Sequence, residues 1–228
     1  MIEQHLSLPH VVRRSAGQGG APPMLVLLHG YGSNEHDLFG LAPYLDERLL
    51  IVSARAPLTL MPGGYAWFNL GFQQGGGMSF DLPGMLRQIE RVAAFVEEAA
   101  TAYGADPQRI VLGGFSQGAI MTAATLLRRP GLLAGALLLS GALFPGTEAQ
   151  ILPPDFNPEA LADLPVLITH GTHDPVLPVE LGRACRNLLE RYPVDLTYRE
   201  YPMGHEINLE SLRDVADWLR ARVNTPLS

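Results

Sequence analysis

The chain has 228 residues, a formal net charge of −7, 47% apolar residues and only 17% charged ones, so it can bury a sizeable core. All sixteen cationic residues are Arg, scattered in ones and twos, which argues against a nucleic-acid partner and removes every mechanism that needs a lysine amine. The longest apolar burst, residues 132–144, falls short of the ~18 to 20 residues that cross a bilayer, and the first residues lack a positive flank and apolar core of a secretory signal. A cytoplasmic chain with no integral membrane segment is expected. The single Cys185 can form no internal disulfide and reads as a buried small hydrophobe.

In chain order, the first 20 residues suggest one or two antiparallel edge strands. Short bursts rich in Val, Ile and Leu then follow at 24–30, 49–57, 109–116, 133–143, 164–174 and 194–202, several of them ending in Gly, Ser or Asp. Most are too continuous for half-exposed strands and match strands buried on both faces, as in a parallel sheet. Between them, Leu86, Ile89, Val92, Val96, Ala99 and Tyr103 recur at three- and four-residue steps, as do Leu209, Leu212, Val215, Ala216, Leu219 and Val223. These predict amphipathic helices over 84–103 and 207–223. The glycine-rich stretch 69–79 and the proline-rich stretch 153–165 read as loops. No linker separates two cores, so residues 1–228 are expected to form one α/β domain, a mostly parallel, doubly wound sheet with helices on both faces. About 20 residues between the strand near Leu143 and the strand near Pro165 leave no room for a helical cap.

The stretch "RIVLGGFSQGAIM" (109–121) breaks an apolar strand into glycines around one serine and passes at once into a helical segment. Gly and Ser frequencies here give roughly 0.1 accidental G-x-S-x-G matches, so the context has to decide. A strand that reverses into a helix at one residue forces that residue into strained backbone and crowds its neighbours, which accounts for Gly114 and Gly118. The turn presents Ser116 at the carboxyl end of the sheet, where open α/β sheets bind ligands. A serine nucleophile requires a base and an orienting acid. His205 follows the last strand and Asp174 ends the preceding one, giving the order Ser116, Asp174, His205 that this kind of turn uses. Asp174 could alternatively cap the next helix; Glu180 should already lie inside it. His29, His170 and His173 read as structural histidines at strand ends. The negative oxygen of the attacked carbonyl would be held by the backbone N–H groups of Gln117 and of Tyr31 in the early loop "LLHGYGSNE".

The motifs "LHGYGS", "GGFSQG", "GTHDPVLP" and "GHEI", in this order over residues 24–220, resemble the phospholipase/carboxylesterase family of α/β-hydrolases. The resemblance implies a capless α/β-hydrolase fold and a serine esterase with Ser116, Asp174 and His205 as triad and Tyr31 and Gln117 as oxyanion donors. The early loop departs from the acyl-protein thioesterase pattern, carrying Tyr31, Gly32 and Ser33 where those enzymes carry Leu-Gly-Asp. "YAWFNL" (65–70) resembles a segment of the family's bacterial esterases. The expected function is cleavage of short- to medium-chain carboxylic esters. The alternatives are a long-chain lysophospholipase or acyl-protein thioesterase, and a catalytically silent ligand binder. Candidate pocket residues are Trp67, Phe68, Phe72, Leu143 and Val176, with core or loop packing an equal alternative for Trp67, Phe68 and Phe72. The expected partner is a small ester or thioester; no metal or cofactor is expected, and a homodimer is compatible with the family.

Overall fold

The structure, a computed structural model, describes residues 2–3, 5–17, 19–73, 77–143 and 146–224, with the backbone path alone for 72, 73 and 77–80. Seven strands form the central sheet: β1 (His10–Arg13), β2 (Met24–Leu28), β3 (Leu50–Ala54), β8 (Ile110–Phe115), β9 (Gly135–Leu139), β10 (Pro165–Gly171) and β11 (Asp195–Tyr201). Their order across the sheet is β1-β3-β2-β8-β9-β10-β11, with β1 antiparallel to β3 and every other pair parallel. The central strands β2, β3, β8 and β9 are buried on both faces, which is why they read as continuous apolar runs rather than alternating ones.

Alternate residues still separate cleanly between the two faces. Met24, Val26 and Leu28 of β2 join the cluster that packs α1 (Leu82–Tyr103), α2 (Gln117–Arg128) and α4 (Val179–Leu189). Leu25 and Leu27 join the opposite cluster, with α5 (Leu209–Asn224) and a short 3-10 helix at Leu38–Tyr44. The helix expected over 84–103 begins two residues earlier because Asp81 caps it, accepting from Gly84 N–H at 2.9 Å. It stops at Gly104, whose φ of 67° is a left-handed cap geometry.

Two hairpins between β3 and α1 correct the sequence reading. β4 (Leu58–Met61) pairs with β5 (Gly64–Ala66), and the stretch expected as a loop over 69–79 contains β6 (Leu70–Gln73) paired with β7 (Gly77–Phe80). Glycine content misled there: residues 71 and 77 stand inside antiparallel pairing, where the partner strand supplies the hydrogen bonds that local propensity does not. Between β9 and β10 the described residues hold α3 (Glu148–Ile151) and a 3-10 turn at Pro158–Leu161, and among the described residues no cap domain covers the sheet. Among the described residues no helix is long and apolar enough to cross a membrane.

Candidate active site

Ser116 sits between the end of β8 and the first turn of α2 with φ 53° and ψ −116°, a backbone conformation that side-chain-bearing residues rarely adopt. The two flanking glycines are required by contact. A Cβ on Gly114 would lie 2.2 Å from the backbone of Gly118, and one on Gly118 would lie 1.9 Å from the carbonyl oxygen of Leu28. The turn therefore packs directly on the end of β2, and Ser116 N–H donates to Leu139 O at 2.9 Å, fixing it to β9 on the other side.

The loops after β10 and β11 meet beside it. Thr172 N–H donates to Tyr201 O at 2.8 Å and His173 N–H to Met203 O at 3.1 Å, so the pairing of the two strands continues into the loops. Gly171 allows this approach, since a Cβ there would stand 2.3 Å from Gly204 O. The result brings three of the expected residues into one line. Ser116 Oγ–H donates to His205 Nε2 at 2.9 Å, and His205 Nδ1–H donates to Asp174 Oδ2 at 2.7 Å. The Asp174 carboxylate is fully buried, and its other oxygen accepts from the N–H groups of Val176 and Leu177, both at 2.8 Å. Three donors thus compensate the burial of one negative charge. Asp174 does not cap the next helix, the alternative weighed from the sequence: α4 starts at Val179 with Pro178 as its N-cap, and Asp174 instead accepts from the turn before it. Phe115 packs against the His205 ring with centroids 4.8 Å apart, leaving the imidazole part-exposed at the mouth.

The early loop is held from behind. Gly32 N–H donates to Tyr65 O and Tyr65 N–H to Ser33 O, both at 2.8 Å, while Asn34 Nδ2–H reaches Gly63 O at 3.0 Å. These bonds seat the loop on the β4–β5 hairpin. Among the described residues neither Tyr31 N–H nor Gln117 N–H has a backbone acceptor, so both are available to an external one. The Gln117 side chain is buried and works as a clamp: Oε1 accepts from Trp67 N–H and Nε2–H donates to Phe68 O, each at 2.8 Å. Trp67 Nε1–H in turn donates to His29 O at 2.9 Å, so the loop after β2 and the elbow are tied through one indole.

These contacts correct the expected pocket. Trp67 and Phe68 are 0% exposed and Leu143 is 2% exposed; all three belong to the core cluster and support the site from below. Their apolar area is spent on packing, which a sequence pattern cannot distinguish from a binding wall. Val176 is 55% exposed and Tyr31 45% exposed, both on loops carrying site residues. The Phe72 side chain lies outside the described residues. Cys185 is buried against the same core, and burial pushes its thiol up to about 12, far from nucleophilic use. A groove of about 550 Å³ lies elsewhere, lined by Pro23, Arg109, Ala134, Pro165 and Asp195 at the amino ends of the strands. The six residues of β8, at ~3.3 Å each, put it roughly 20 Å from Ser116.

Sequence reasoning missed one further pair. Glu35 is fully buried behind the early loop, and Arg55 donates to it twice, Nε–H to Oε2 at 2.6 Å and an Nη–H to Oε1 at 2.5 Å. The Arg55 guanidinium also lies 4.6 Å from the Tyr65 ring centroid. Twenty residues separate the two partners, and a glutamate in a polar loop has every appearance of a solvated residue, so no local signal announces the pair.

The chain matches the phospholipase/carboxylesterase family model over residues 14–223. It is 28% identical to acyl-protein thioesterase 1 of Kluyveromyces lactis, over 92% of this chain and 96% of that protein. Among solved structures it resembles the carboxylesterase of Mesorhizobium loti, with a TM-score of 0.80, 25% identity and coverage of 96% of this chain and 98% of that one. The Bacillus cereus carboxylesterase is similar, with a TM-score of 0.77, 27% identity and 96% of each chain covered. The chain belongs to the phospholipase/carboxylesterase family of α/β-hydrolases and is a carboxylic ester hydrolase.

Proposed function

We propose that the chain hydrolyses short- to medium-chain carboxylic esters through an acyl-serine intermediate on Ser116. The observation that carries this reading is the unbroken hydrogen-bond line from Ser116 Oγ through His205 to the buried Asp174 carboxylate. His205 Nε2 takes the Ser116 proton as Oγ bonds to the ester carbonyl carbon, and the carbonyl electron pair moves onto oxygen. The N–H groups of Tyr31 and Gln117 stabilise that oxyanion. As the carbon–oxygen bond to the alcohol breaks, His205 gives its proton to the departing oxygen. Water then attacks the acyl carbon while His205 takes its proton, and Ser116 leaves with that proton as the carboxylic acid is released. Asp174 keeps the imidazole in the tautomer with the proton on Nδ1 and stabilises its cation.

The preference for shorter acyl chains rests on the space around Ser116. Among the described residues no cap covers the sheet, and Trp67, Phe68 and Leu143 fill the volume beneath the site instead of walling a deep channel. Thioesters are open to the same chemistry. The test is a series of p-nitrophenyl esters from two to sixteen carbons, run on the wild type and on Ser116→Ala. Turnover should peak at short chains and fall by roughly 10⁴-fold or more in the variant. A long-chain optimum would move the substrate to lipid or acyl-protein esters, in line with the similarity to acyl-protein thioesterase 1. Activity retained in Ser116→Ala would remove the serine mechanism.

A further inference from the structure

His170 is the penultimate residue of β10, four residues before Asp174, and takes no part in the proton transfers above. It is 0% exposed, and its Nε2 lies 2.7 Å from Leu177 O and 3.7 Å from Asp174 Oδ2. A carbonyl oxygen can only accept, so the proton sits on Nε2 and points into the turn that carries the acid. At Nδ1 the ring is buried with no hydrogen-bond partner among the described residues, which suits a bare lone pair and not a second N–H. Leu177 is therefore held on both sides of its Cα: its carbonyl oxygen accepts from His170, and its N–H donates to Asp174 Oδ1 at 2.8 Å.

Gly182 is an independent sign that the ring position matters. It lies in the interior of α4, where glycine costs about 1 kcal/mol relative to alanine. A Cβ at that position would come within 2.5 Å of His170 Nδ1 and 2.7 Å of Cγ. The helix carries no side chain at a place where one would displace the imidazole.

We propose that His170 is a positioning residue for Asp174, fixing through Leu177 the direction from which the carboxylate meets His205, and that Gly182 provides the space its ring needs. This rests on the serine reading of the site. Misplacing a catalytic group by about 1 Å can cost on the order of 10²-fold in rate. The experiment measures kcat and KM for one short-chain p-nitrophenyl ester in the wild type, His170→Phe, His170→Gln, Gly182→Ala and Ser116→Ala, with thermal unfolding of each. Phe keeps a ring and removes the donor; Gln keeps an N–H in the place of Nε2.

The expected result is a loss in kcat of roughly 10- to 10²-fold for His170→Phe with KM near wild type, substantial recovery in His170→Gln, and an intermediate loss in Gly182→Ala. A folded His170→Phe with wild-type kcat overturns the proposal, as does a folded His170→Gln that is no better than Phe. Should His170→Phe fail to fold, wild-type kcat in Gly182→Ala overturns it. Activity retained in Ser116→Ala breaks the serine reading instead, so the two failures are distinct.

Discussion

Two histidines stand at equivalent places in the fold, each before a glycine at the carboxyl end of a parallel strand: His29 after β2 and His170 at the end of β10. Both are fully buried, yet they are satisfied differently. His29 uses both nitrogens, donating from Nδ1 to Gly30 O at 2.7 Å and accepting from Ala56 N–H at Nε2, 3.0 Å away. His170 uses one. The first braces the loop after β2, which carries the proposed oxyanion donor Tyr31; the second contacts the turn that holds a carboxylate. One residue type in one topological position thus serves two opposite electrostatic demands, because an imidazole can be donor and acceptor at once and its tautomer follows its partners.

The largest effect should come from the packing beneath the His29 side. A Gly118→Ala side chain would collide with the carbonyl oxygens of Leu28 and His29, at 1.9 and 2.8 Å, and neither backbone group can move without opening the sheet end. A loss of more than about 4 kcal/mol in urea unfolding, with loss of turnover, is expected; a stable, active Gly118→Ala protein would show that the elbow and β2 are not in this contact.

Next is the ion pair behind the same loop. Arg55→Ala leaves the Glu35 carboxylate buried with, among the described residues, His36 3.3 Å away as its cationic neighbour when protonated. The hydrogen bonds to Glu35 hold the Arg55 guanidinium above its ordinary value, because the carboxylate stabilises the cation. Removing one partner of such a pair costs about 3 to 5 kcal/mol, whereas Arg55→Met with Glu35→Gln should recover part of it. Urea unfolding of the three proteins measures both numbers. Equal stability of Arg55→Ala and wild type would mean that the loop is held by its backbone bonds alone.

The smallest effect is a pH dependence. Burial holds the His29 imidazole below its ordinary 6.5, and burial does the same to His10, whose ring accepts from Tyr103 O–H and donates to Leu8 O. Below pH 6.5 the unfolded chain binds protons that the folded one refuses, so stability is present in full above 6.5 and declines as pH falls toward the folded values. Each histidine contributes a slope of up to about 1.4 kcal/mol per pH unit in that window. His29→Gln should remove one histidine's share from unfolding curves taken between pH 5 and 7; an unchanged slope would assign the dependence to other groups.

The amino-acid sequence by itself determined the frame. Continuous apolar runs can be satisfied only by strands covered on both faces, and the glycines around Ser116 mark a turn that no larger residue could make, so the sheet, the elbow and the order of Ser116, Asp174 and His205 were legible. The two hairpins, the Gln117 clamp, the Glu35–Arg55 pair and the one-sided bonding of His170 were decided by tertiary structure. Each joins segments distant in sequence or satisfies a polar group only once another element has arrived, and local pattern carries no signal of a partner it does not touch. Trp67 and Phe68 mark the boundary most sharply. An apolar side chain looks the same to its neighbours in sequence whether it faces a substrate or a core, and only the packing of α2 against the hairpins puts both of them beneath the site.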